Sequence, residues 1–112
     1  MKRQHRELAS GRWKEMTLSE QMANIGSEVS RALNWMKKGN EEYSRNAASR
    51  SLELLDLTLD CTETLPRLRE VARLREAVVD YFFGANEFSS SETLWRNYFD
   101  HFNYAARRAR TR

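Results

Sequence analysis

A chain of 112 residues with 40% hydrophobic residues is long enough to bury one core and short for two domains. Its single cysteine, Cys61, excludes an internal disulfide and a cysteine-based zinc site, which suits a reducing cytosol. No apolar run nears membrane-spanning length and the polar N-terminus lacks a signal-peptide core, so the expectation is a cytoplasmic protein without membrane partners.

Residues 1–16 read as a basic arm, with Trp13 either anchoring it or serving as an exposed contact. Residues 17–109 read as a single domain and 110–112 as a basic tail. Thr17-Leu-Ser-Glu20 has capping-box spacing, and Leu18, Met22, Ile25, Val29, Leu33 and Met36 follow at steps of three and four, predicting a helix over 18–38. Gly26 inside it is costly by about 1 kcal/mol relative to alanine and points to a close approach by a neighbouring helix. A second helix is predicted over 41–60, where Leu52, Leu57 and Leu59 widen the apolar surface enough to serve a subunit interface.

Pro66 is acceptable only in a first helical turn, which sets a third helix at 65–83 with Gly84 as its stop. Ser89 and Glu92 are spaced as another capping box ahead of a fourth helix at 91–109. That helix is the most aromatic; Trp95, Phe99 and Phe102, with Trp35 from the first, are assigned to the core. Phe88 and Tyr104, like Trp13, suit exposed contacts. Without strand alternation, the predicted fold is all-α: a four-helix bundle, up-down-up-down, with a basic N-terminal arm.

The net charge of +3 is unevenly spread. Residues 1–14 hold Lys2, Arg3, Arg6, Arg12 and Lys14 against Glu7, and residues 105–112 hold Arg107, Arg108, Arg110 and Arg112 with no acid. The ends therefore carry +8 and the body between them −5. Basic arms on an acidic body suit salt-sensitive contact with RNA or DNA, through Lys2, Arg3, Arg6, Arg12, Lys14, Arg107, Arg108 and Arg110. Solubilising tails would have the same composition.

Catalytic patterns are sparse. Glu-x-x-His pairs for a di-iron site, Gly-rich phosphate loops and Ser- or Cys-centred triads are missing, and no metal or cofactor is expected. Glu53, Asp56 and Asp60 share a helical face and resemble half of the Mg²⁺ site of helical nucleotide pyrophosphohydrolases, which Glu76 and Asp80 could complete.

The remaining motif is Arg96-Asn97-Tyr98-Phe99-Asp100-His101, which resembles the Arg-polar-x₃₋₅-His motif of HEPN domains. That resemblance implies a helical-bundle ribonuclease of toxin type, with His101 as general acid/base, Arg96 on the scissile phosphate and Asn97 orienting one of them. Residues five apart on one regular helix diverge by about 140°, so the site implies two motif helices meeting in a homodimer, or a locally irregular helix start.

A second likeness spans about Trp13 to Arg107, through Leu18-Ser-Glu-Gln-Met-Ala-Asn-Ile-Gly-Ser-Glu-Val-Ser-Arg-Ala, Leu52-Glu-Leu-Leu-Asp-Leu-Thr and Leu68-Arg-Glu-Val-Ala-Arg-Leu-Arg-Glu. It is similar to a family of small uncharacterised prokaryotic helical proteins and implies no activity. Two functions follow as expectations. One is an interaction module, a homodimer or higher oligomer that engages RNA, DNA or a protein partner. The other is a metal-independent ribonuclease.

Overall fold

A computed structural model describes the backbone of residues 6–110 and the side chains of residues 11–108. The described chain is all-helical, with α1 (Arg6–Glu15), α2 (Leu18–Lys37), α3 (Glu41–Cys61), α4 (Leu65–Phe83) and α5 (Glu92–Arg110). These are five helices where four are expected, because most of the segment read as an arm is α1.

Trp13 explains why α1 stays on the body although it carries no apolar stripe. Its side chain is buried at 5% exposure, and its Nε1–H donates to Thr58 Oγ1 of α3 at 2.9 Å. Gln21 Nε2 returns a 2.8 Å hydrogen bond to the Trp13 carbonyl. Trp13 is therefore an anchor and not an exposed contact, since one indole with a satisfied N–H can hold a short helix where periodicity predicts none.

The capping box of α2 forms as expected, with Thr17 Oγ1 accepting from Glu20 N and Glu20 Oε1 accepting from Thr17 N. Asn40 caps α3 by accepting from Tyr43 N, after Gly39 supplies a left-handed φ of 78°. The additional α3 leucines do not form a free face: Leu57 is buried, and Leu52 and Leu59 pack half-buried against the core. This corrects the subunit-interface expectation, because α3 already touches α1, α2 and α4. Trp35 also leaves the core; it sits half-buried at the surface, edge-on to Tyr43 at 4.9 Å and 5.0 Å from Lys38 Nζ.

The loop after α4 departs from the predicted capping box. Asp80 carboxylate oxygens accept from Glu87 N and Phe88 N, and Asn86 exchanges two hydrogen bonds with the Ser90 backbone. These contacts hold Asn86 and Ser89 at φ 55°, so Ser89 belongs to the loop. Ser91 instead accepts from Leu94 N and starts α5 at Glu92.

Pairwise contacts give the directions. Lys37 meets Glu92, Arg96 meets Ser30 and Asn34, and Gly26 meets Phe99, so α5 runs antiparallel to α2. Arg50 meets Glu28 and Ser44 meets Ala32 across α2 and α3, and Arg75 meets Asp56 across α3 and α4. The core of Met22, Ile25, Val29, Leu55, Val71, Val78, Trp95 and Phe99 lies among these helices.

Gly26 is the closest point of α2 and α5. A Cβ there would lie 2.8 Å from two Phe99 ring carbons and 2.9 Å from the Phe99 Cβ, which its own backbone fixes. Helix propensity favours alanine by about 1 kcal/mol, but overpacking costs about 1–3 kcal/mol. Gly26→Ala is therefore expected to lower stability in urea unfolding, and to cost less in a Phe99→Ala background, which removes both ring carbons; equal costs in both would remove the steric explanation. Thr58→Val leaves the buried Trp13 N–H without its acceptor and should cost about 1–3 kcal/mol. In a Trp13→Phe background the same substitution should cost clearly less, as measured by thermal unfolding.

Candidate functional site

Arg96, Asn97 and His101 lie on α5, whose first turns face α2 on one side and α4 on the other. Arg96 bridges the α2 side. Its Nε donates to Glu92 Oε2 at 2.9 Å, Nη1 to Ser30 Oγ at 3.1 Å and Nη2 to Asn34 Oδ1 at 2.9 Å. Lys37 Nζ approaches the same Glu92 oxygen at 3.3 Å. Asn97 is exposed and faces the opposite way, lining a groove towards α4. His101 is exposed beside Phe102, edge-on at 5.4 Å.

The helical angle turns Arg96 about 100° from Asn97 and about 140° from His101, so one chain does not bring the arginine to the histidine. The Arg96 guanidinium is occupied by three acceptors and clasps α5 to α2. Sequence pattern gives no hint of this clasp, because Ser30 and Asn34 are 66 and 62 residues away along the chain.

The basic residues divide by surroundings. Arg31 and Arg50 pair with Glu28, Arg45 with Glu41, Lys37 and Arg96 with Glu92, and Arg75 with Asp56. Among the described residues, no carboxylate lies within ion-pair distance of Arg12, Lys14, Arg67, Arg69, Arg73 or Arg107. Arg108 lies over the Tyr104 ring at 5.9 Å. Lys2 and Arg3 are outside the described residues; Arg6 and Arg110 stand in α1 and α5, with side chains outside them.

Topology gathers the unpaired group. The α1–α2 junction and the end of α5 adjoin, since Met16, Glu20 and Ala23 line one cleft with Asn103 and Ala106. Trp13 on Thr58 brings the end of α3 there, and the antiparallel α3–α4 pairing brings the start of α4. Arg12, Lys14, Arg67 and Arg107, remote in sequence, therefore stand on one end of the molecule. Glu15, Asp60 and Glu63 share that end.

Two of the acidic residues considered for Mg²⁺ have other partners: Asp56 pairs with Arg75 at 2.8 Å, and Asp80 holds the loop before α5. Among the described residues, no group of three His, Cys, Asp or Glu side chains is arranged to hold a metal ion. Cys61 is half-buried, and burial pushes its thiol up; nearby Lys14 opposes this and Asp60 adds to it. No helix among the described residues is long and apolar enough to cross a membrane.

An open concavity of about 890 Å³ lies between α4 and α5. Leu74, Ala77, Leu94 and Trp95 contribute apolar surface, with Arg69 and Arg73 along the α4 side. The Tyr98 hydroxyl crosses it to donate to Glu70 Oε2 at 3.0 Å, and burial, followed by the Glu70 charge, pushes that phenol well above its ordinary range. The Trp95 indole is 5% exposed, and its Nε1 has no hydrogen-bond partner among the described residues. Comparison with family models, characterised proteins and solved structures finds no match to this chain.

Arg96 gives the clasp a pH dependence. Its hydrogen bond, supported by Lys37 and opposed by partial burial, holds the Glu92 carboxyl below the usual glutamate range. A depressed folded-state pKa means that stabilisation is present above the unfolded pKa and is lost as pH falls through the folded value. Arg96→Gln should therefore flatten the acid-side loss of thermal stability between about pH 6 and about pH 3. A loss as steep as in the unsubstituted protein would show that the clasp does not carry it.

Proposed function

We propose that this chain is a helical interaction module whose basic end holds a nucleic-acid backbone, RNA in the first instance. The observation that carries this reading is the convergence of unpaired cations from opposite ends of the sequence, Arg12 and Lys14 with Arg107, onto one end of the molecule. Ion-paired arginines have their forks occupied; these can meet phosphate oxygens without first breaking an internal pair. The acids at the same end make the surface mixed, so binding is moderate and strongly salt-dependent. Lys2, Arg3, Arg6, Arg108 and Arg110 are near these cations in sequence and belong to the proposed contact.

We read α2 to α5 as an up-down-up-down four-helix bundle with α1 added on α3, which the antiparallel pairings support. We also read the module as a homodimer or higher oligomer. In support, Leu65, Leu68, Val79 and Phe83 are exposed along α4 at helical spacing.

A second reading, a HEPN-like metal-independent ribonuclease, is favoured by one observation: His101 is exposed and lacks a hydrogen-bond partner among the described residues. It requires a second copy to bring an arginine to that histidine, and Arg96 to leave its three acceptors.

Fluorescence anisotropy with a labelled single-stranded RNA tests the first reading. The affinity should fall steeply with salt, and the triple substitution Arg12→Glu, Lys14→Glu, Arg107→Glu should weaken binding at least about tenfold and reduce the salt slope by about 2. Salt-independent binding, or binding unchanged in the triple variant, would overturn it. Cleavage of the RNA in excess EDTA, lost in His101→Ala, would establish the ribonuclease instead.

A further inference from the structure

The groove between α4 and α5 has a different character from the basic end. The backbones of α4 and α5 approach each other less closely than those of the other neighbouring helix pairs, and side chains bridge the gap. The Tyr98–Glu70 hydrogen bond and the Tyr81–Trp95 ring contact, with centroids 5.9 Å apart, are two such bridges. Between the two antiparallel helices runs a furrow of about 890 Å³, a shape that receives the apolar face of a third helix. Its floor is Leu74, Ala77 and Trp95, and Leu94 stands on its lip at 59% exposure.

Charge identifies the occupant. Arg69 and Arg73 lie one turn apart on the α4 lip, both exposed and without an ion-pair partner among the described residues. Glu70, the acid between them, is engaged by Tyr98. The α5 lip offers neutral Asn97. The groove is therefore apolar at its base, cationic along one edge and neutral along the other. A nucleic-acid strand fits it poorly, because the aromatic rings present are committed to one another: Trp95 stacks on Phe99, and Tyr98 meets Phe99 and Phe102 edge-on.

We propose that this groove docks an amphipathic helix of a partner protein, with leucine-type residues along one face and two acidic residues a turn apart on the flank that meets Arg69 and Arg73. The apolar face supplies affinity and the acidic pair sets orientation and selects the partner. This inference is independent of the nucleic-acid reading and concerns different residues.

The test is fluorescence anisotropy of a fluorescein-labelled helical peptide with leucines spaced i, i+3, i+4 and i+7 and glutamates on one flank. A second peptide keeps the leucines and carries lysines in place of the glutamates. The full chain should bind the acidic peptide saturably and at least about tenfold tighter than the lysine peptide. The double variant Arg69→Glu, Arg73→Glu should reverse that preference. Leu94→Glu should weaken the acidic peptide at least about tenfold while circular dichroism and the unfolding midpoint stay unchanged. Equal affinity for the two peptides, or a preference unmoved by the double variant, overturns the proposal. Absence of peptide binding, together with a dimer in sedimentation that Leu94→Glu dissociates, also overturns it and assigns the groove to a second copy of this chain.

Discussion

The seating of Phe99 against the bare backbone of Gly26 is the contact on which the rest of the structure depends. With no Cβ in the way, α5 comes close enough to α2 for its aromatic face to enter the core, bringing Trp95 and Phe99 under cover. That proximity also lets one arginine reach two acceptors on the facing helix while keeping its own i,i+4 carboxylate. An arginine at this position on a more distant helix would remain in water. Steric permission at one residue therefore precedes both the hydrophobic and the polar attachment of the last helix.

The same seating determines where the molecule stays open. α5 packs closely on α2 and more loosely on α4, where aromatic side chains span the gap. The result is one face whose interior is apolar while its edge carries unpaired guanidinium groups. Around Glu28 and Glu92, by contrast, cations and carboxylates are matched. Exposed ion pairs contribute little stability, so the contrast bears less on holding the fold than on which surfaces keep charge available for another molecule.

Much of the architecture was legible from local chemistry. The Thr17–Glu20 box and Pro66 locate helix starts through interactions made within a few residues, and Gly26 announced a close approach because a helix-interior glycine otherwise only costs stability. The misses share the opposite origin. α1 is held by an indole N–H reaching a threonine 45 residues away, and the start of α5 is set by Asp80 reaching across the loop. The motif on α5 was legible as letters only. Its residue types suggested joint chemistry, whereas the helical angle and the acceptors on α2 separate them, and neither the groove nor the grouping of unpaired cations leaves a periodic trace.

The short link from α4 to α5 bears on how a groove can stay ready without being filled. Asp80 and Asn86 tie this link to its own backbone, and two of its residues take up left-handed angles to permit it. The walls are therefore spaced by a braced connection at one end, by the Gly26 seat along the side, and by the Tyr98–Glu70 and Tyr81–Trp95 bridges between them. A cleft built in this manner has its shape set by contacts within the chain. Its ordering entropy is lost when the chain folds, so association gives up little further freedom.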